Sequence, residues 1–149
     1  MSKNNTFSFT EILSNSISNY GSKEALAFID ESPITYSQMG EKITSSMAML
    51  ENFDIKPGDR VIIYSQNMPN WAVIYFALQK MGVVAVPVLP DFNPHELQNV
   101  LIHSEAKCMF VSESLEYKLS DVKSEYLKTT VRIDNFEVIG GDFKDYKFV

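Results

Sequence analysis

The chain has 149 residues, 45% apolar and 21% charged, with a formal charge of −6. That is enough for one domain with a real core, and the acidic balance leaves no basic footprint for nucleic acid. A lone cysteine, Cys108, excludes an internal disulfide and fits a cytoplasmic protein.

The start, Met1-Ser2-Lys3-Asn4-Asn5-Thr6, lacks the apolar run of a signal peptide. Phe9–Tyr20 is predicted as the first helix, because Phe9, Ile12, Leu13 and Ile17 recur at helical spacing. Thr10 and Glu11 are suited to open it and Gly21 to end it. Ala25–Asp30 and Pro33–Tyr36 read as two strands joined through Asp30-Glu31-Ser32-Pro33, a hairpin. Thr35-Tyr36-Ser37-Gln38 has the spacing of a capping box. The helix it opens gathers Met39, Ile43, Met47 and Leu50 on one face and leaves Lys42, Ser45 and Glu51 for solvent. Lys56-Pro57-Gly58-Asp59 is turn chemistry.

Val61-Ile62-Ile63-Tyr64 is continuously apolar, which points to a strand covered on both faces, as in a parallel sheet. Asn67 or Met68 caps the next helix, with Pro69 in its first turn, Val73, Ile74, Ala77, Leu78 and Met81 on its inner face, and Gly82 at its end. Val83–Val88 is expected as another buried strand. Trp71–Leu89 is apolar enough to suggest a membrane span, but Gln79-Lys80, Gly82 and Pro87 divide it into helix and strand. Asn93-Pro94-His95-Glu96 is a second clean helix start, leading to Leu97, Val100 and Leu101. Lys107–Val111 reads as a strand, with Cys108 as a buried, unreactive member. Leu115, Leu119, Val122 and Tyr126 mark a further helix, and Thr130–Ile133 a last strand. The alternation predicts an α/β domain, doubly wound around a mainly parallel sheet with helices on both faces. We place that domain at residues 1–133. Asp134–Val149 has no clear period but carries Phe136, Phe143, Tyr146 and Phe148, so it is expected as a linker that packs on protein outside this chain.

The residues offer little chemistry. The six glycines build neither a G-x-G-x-x-G nor a G-x-x-x-x-G-K-[ST] loop. His95 and His103 are eight positions apart, with no partners at metal-ligand spacing. No serine sits in G-x-S-x-G. Asp30, Glu31 and Asp59 fall in turns and are expected to be solvated there. Asn67 and Trp71 are the least bland pair: the asparagine suits a cap and the tryptophan a groove, and both roles are structural. No catalytic, cofactor-binding or metal-binding residue is assigned.

The motifs gain meaning from their order. Ile34-Thr35-Tyr36, Pro57-Gly58-Asp59-Arg60-Val61, Asn67-x-Pro69-x-Trp71, Met81-Gly82-Val83-Val84-Ala85-Val86-Pro87 and Glu96-Leu97 followed by Ser104-Glu105-Ala106-Lys107 run in sequence. Together, from about Ala25 to Leu115, they resemble the N-terminal part of AMP-forming acyl-CoA synthetases, members of the adenylate-forming superfamily. Asn70 departs from the family pattern, which has an acidic residue there. The resemblance implies an ATP-dependent reaction in the full-length enzyme. A carboxylate attacks the α-phosphate of ATP to give an acyl-adenylate, and coenzyme A then takes the acyl group as a thioester. Phosphate charge in that family is held by Mg²⁺, by a Ser/Thr/Gly-rich loop ending in lysine, and by a lysine on a C-terminal lid. None of these is in this sequence, so the piece itself is expected to be inactive and to need no cofactor. The favoured substrate is a fatty acid, probed against amino-acid or aryl-acid adenylation as the same-chemistry rival. The implied partner is the remainder of the enzyme's own chain, whose loss would leave an apolar patch beside the tail able to drive self-association. A free-standing, non-enzymatic binding module is the rival from another class.

Overall fold

The computed structural model describes residues 8–149. Helix α1 spans Phe9–Tyr20. Its cap is Ser8 rather than Thr10: the Ser8 hydroxyl accepts from the Glu11 amide and the Glu11 carboxylate accepts from the Ser8 amide, both at 3.2 Å. Strands β1 (Glu24–Leu26) and β2 (Ile34–Thr35) form the expected antiparallel hairpin. They are shorter than predicted because the chain leaves the ladder before Asp30, which takes a left-handed φ of 64°. Helix α2 (Tyr36–Asn52) starts at the predicted box, with the Gln38 amide 3.2 Å from the Thr35 hydroxyl and the Thr35 amide 2.8 Å from the Gln38 carbonyl. Met39, Ile43, Ser46, Met49 and Leu50 are its buried residues, and Met47, expected on that face, is half-buried.

Strand β3 (Arg60–Tyr64) is followed by helix α3 (Pro69–Met81), strand β4 (Val84–Val88), helix α4 (Pro94–Ser104) and strand β5 (Cys108–Val111). Gly82 ends α3 at φ 67°, the conformation a glycine adopts without a Cβ penalty. Strands β6 (Thr129–Arg132) and β7 (Glu137–Gly141) complete a five-stranded sheet in the order β4-β3-β5-β6-β7. All neighbours are parallel except β6 and β7. Alternation along the central strands divides the core. Val61, Ile63, Cys108 and Phe110 face the layer of α1, α2 and α3, whereas Ile62, Tyr64, Met109 and Val111 face Leu97, Leu101 and Leu115 on the other side. This is the doubly wound α/β arrangement the sequence predicted.

Three expectations need correction. Val84–Val88 is an edge strand, and Val84 is 48% exposed, so its apolar run is not buried on both faces. The Val84 amide donates to the Asp59 carbonyl. By the two-residue alternation, the nitrogen of Pro87 then faces outward, where a missing N–H removes a pairing site. Leu115 to Tyr126 is not an α-helix but a 3-10 helix over Glu113–Leu119 followed by irregular chain. Gln98 of α4 holds that chain by exchanging two hydrogen bonds with the backbone of Lys123.

The third correction concerns the tail. Glu137–Gly141 pairs along β6, and Phe136 and Val138 are buried. Phe143 and Tyr146 each pack 5.1 Å from Phe53, and Phe148 lies 4.6 Å from Phe136, by ring centroids. The aromatics expected to seek a partner beyond this chain pack on the chain's own core. Of the tail's large apolar residues, only Val149 is mainly exposed. Among the described residues no helix is long and apolar enough to cross a membrane.

Candidate functional site

In an open α/β sheet, ligands bind outside the carboxyl ends of the strands, where the strand order reverses. Here the chain runs from β3 outward to β4 and returns across β3 to β5, so the reversal lies between β3 and β5. Ser65 and Ser112 follow those strands and are 4% and 1% exposed. The Ser112 hydroxyl donates to the Ser65 hydroxyl at 2.8 Å, Ser65 donates to the Gln66 carbonyl at 2.8 Å, and the Gln66 amide donates to Ser112 at 2.9 Å. The ring uses both hydroxyl protons. It ties the ends of β3 and β5 together. Toward β4 the edge is roofed. The buried Tyr64 donates its hydroxyl to the Phe92 carbonyl at 2.7 Å, and Lys118 donates to the carbonyls of Pro90 and Phe92 at 2.8 and 3.1 Å.

Toward the hairpin the same edge opens into a cleft of about 330 Å³. Leu26, Phe28, Ile34 and Met68 give it an apolar wall, and Lys42 and Asn70 supply polar groups. Asn70 lies in the first turn of α3 and donates its side-chain amide to the carbonyls of Ile133 and Asp134, at 2.8 and 3.1 Å. Asp134 in turn accepts from the Glu113 amide at 2.7 Å. The start of α3, the end of β6 and the 3-10 helix are thus tied together at one point. An acidic residue at position 70 could not make this tie, because a carboxylate has no proton to donate to two carbonyls.

The predicted pair behaves differently. Asn67 is exposed and does not cap α3, whose cap is Met68 without a side-chain bond. Trp71 is half-buried and stacks on Tyr75 at 5.2 Å and 14°. Both histidines lie exposed on α4. Among the described residues there is no group of three or more His, Cys, Asp or Glu that could hold a metal ion. Cys108 is fully buried, and burial raises its thiol well above the usual range; it is not a nucleophile.

The Pro57-Gly58-Asp59-Arg60-Val61 motif lies at the opposite, amino-terminal edge of the sheet. Asp59 is not the solvated turn residue expected. Its side chain is 13% exposed and pairs with Lys107 at 2.9 Å while accepting from the Lys56 amide at 2.9 Å. Burial alone would raise its carboxyl. The Lys107 hydrogen bond, the Lys56 amide and the neighbouring charges outweigh that and hold it below its ordinary value. Arg60 donates to the Ser104 carbonyl at 2.6 Å and to Glu105 at 3.0 Å. The motif clamps β3 to the end of α4 and the start of β5. The partners are more than 40 residues away, so no sequence window shows them.

This geometry positions elements, by the ties at Asn70, Asp59 and Arg60. Comparison with known proteins says what it belongs to. A family profile described as AMP-binding enzyme matches residues 13–145. The chain is 28% identical over 142 residues to YngI of Bacillus subtilis (strain 168), a protein named as an acyl-CoA synthetase, covering 81% of this chain and 26% of that one. It is 32% identical over 94 residues to a 2-succinylbenzoate–CoA ligase of Oceanobacillus iheyensis, covering 63% of this chain and 20% of that one. The chain therefore spans about a quarter or less of these relatives' length. The crystal structure of the anthranilate CoA ligase AuaEII in complex with anthranoyl-AMP superposes with a TM-score of 0.80 at 19% identity, over 85% of this chain and 24% of that one, a likeness of fold. With the profile matching most of its length, the chain belongs to the AMP-binding enzyme family.

Proposed function

We propose that this chain is the N-terminal α/β portion of an ATP-dependent acid–CoA ligase, which converts a carboxylic acid and ATP to an acyl-adenylate and then to a CoA thioester. The family match over residues 13–145 carries this reading. In it, residues 1–133 are the scaffold subdomain, and 134–149 lead into the remainder of the enzyme while contributing β7 to the sheet. The role of this portion is to hold the carboxyl ends of β3, β5 and β6 fixed. In this reading the phosphates and the acid are handled by groups outside it, in keeping with the fully buried Cys108 and the mutually hydrogen-bonded Ser65 and Ser112.

For the substrate we propose a fatty acid, from the sequence likeness to acyl-CoA synthetases. Relatives named for 2-succinylbenzoate and acetate make aryl and short acids the direct rivals. The test is AMP formation by the full encoded polypeptide with ATP, Mg²⁺, CoA and a panel of long-chain, short-chain, aryl and amino acids. A preference for long-chain acids is expected. Preference for another acid overturns the substrate, and no acid-dependent AMP overturns the ligase.

One observation favours a second reading, a free-standing binding module. Phe143 and Tyr146 close on Phe53 instead of facing outward, so the tail is satisfied within this chain. A coding sequence that ends at Val149 would select that reading.

A further inference from the structure

Resting on the ligase reading above, we infer that Lys118 is a positioning residue, whose ammonium latches the loop between β4 and α4 at the carboxyl edge of the sheet. Lys118 lies in the 3-10 helix that follows β5, and the loop is residues 89–93. Leu89 is 66% exposed, and Asp91 and Asn93 are exposed as well. The loop's own bonds are a turn, from the Phe92 amide to the Leu89 carbonyl, and the α4 cap between Asn93 and Glu96. Phe92 packs its ring on the core, which leaves residues 89–91 dependent on what holds their backbone.

Two side chains do so. Lys118 donates to the carbonyls of Pro90 and Phe92 at 2.8 and 3.1 Å, and Tyr64 donates to Phe92 at 2.7 Å. The Phe92 carbonyl thus takes two donors and has both lone pairs filled. Tyr64 is the last residue of β3, so the ends of three neighbouring strands meet at one ammonium.

The charge distinguishes this tie from the others. The chain has 19 acidic residues against 13 Lys and Arg, and Lys56, Arg60, Lys107 and Arg132 all pair with carboxylates. Among the described residues Lys118 has no such partner. It is half-buried, and its nitrogen lies 5.9 Å from the ring centroids of both Tyr64 and Tyr117, within the range of a cation–π contact. Tyr117, 75% exposed, therefore has a role on the outside of the latch. Bonds from an ammonium to carbonyls are stronger than neutral ones, so a single charge fixes a loop that has little else to fix it. The loop borders the strand reversal, where ligands bind in open α/β sheets, and its place there sets the geometry of that edge.

The test is Lys118→Met in the full encoded polypeptide, with Lys118→Arg as the conservative change. Lys80→Met, in the last turn of α3, is the control of equal charge loss. Amide exchange and acid-dependent AMP formation are read on each. In Lys118→Met the amides of residues 91–93 should exchange faster than in the wild type, while those of β3 and β5 do not. Its kcat/KM should fall about 10- to 100-fold through a rise in KM, the cost of a misplaced wall. Lys118→Arg keeps charge and donors and should restore both readouts; Lys80→Met should change neither. Unchanged exchange in Lys118→Met overturns the latch, and faster exchange with unaltered KM overturns the positioning role. Faster exchange throughout the sheet would make the lysine a stabiliser of the fold at large and overturns that role too. Absence of acid-dependent AMP in the wild-type protein overturns the ligase reading separately, and loop exchange then decides whether Lys118 holds the loop.

Discussion

Asn70 donates where the family's usual carboxylate could only accept. Its two bonds, to the carbonyls of Ile133 and Asp134, join α3 to the end of β6. Asn70→Asp should therefore cost about 1–3 kcal/mol, since it removes both donors and sets a charge against two carbonyls; urea unfolding measures it, and an unchanged midpoint would show the tie is idle. Thr129 presents the opposite situation. Its hydroxyl is buried at the start of β6 and finds no partner. Thr129→Val should raise stability by about 1 kcal/mol, and a loss instead would reveal an unseen partner. Asp59 makes stability depend on acidity. A carboxyl held below its unfolded value contributes stability that is complete above about pH 4 and is lost as pH falls through the folded value. Lys107→Met removes the principal opposing charge, so the acid-unfolding midpoint should move to higher pH; an unmoved midpoint would mean that the pair contributes nothing.

At the scale of elements, local signals were readable where the cause was local. The boxes at Thr35 and Asn93 form as their spacing required, and Gly82 ends α3 in the left-handed conformation. Thr35→Ala should cost about 0.5–2 kcal/mol by thermal unfolding, without altering the hydrogen bonds of Ser65 and Ser112. What could not be read depends on neighbours distant in sequence. The apolar run of β4 looks like that of β3, and only strand order makes one an edge and the other central. The spacing from Leu115 to Tyr126 mimics a helix. The chain instead packs Leu115 and Val122 through a 3-10 turn and irregular segment held by Gln98. Asp59 seemed a turn residue because Lys107 lies 48 positions away. The tail lacked a period because its strand is short and its aromatics answer to Phe53 and Phe136.

At the scale of the whole molecule, the family was legible from the ordered motifs, and the structure explains their physical meaning. One motif opens α2, one clamps the amino-terminal edge, one starts α3 and one caps it and enters β4. Each of these places backbone. Fold class followed from the alternation of strands and helices; substrate did not, because no acid-contacting residue has been identified in this chain. We propose that residues 1–149 form a scaffold from a ligase whose chemistry lies elsewhere in the protein. Acid-dependent formation of AMP from ATP by residues 1–149, set beside the full encoded polypeptide under the same conditions, tests it most directly. AMP is expected from the full polypeptide, and a rate equal to the enzyme-free background from residues 1–149. Carboxylate-dependent turnover by residues 1–149 alone would contradict it.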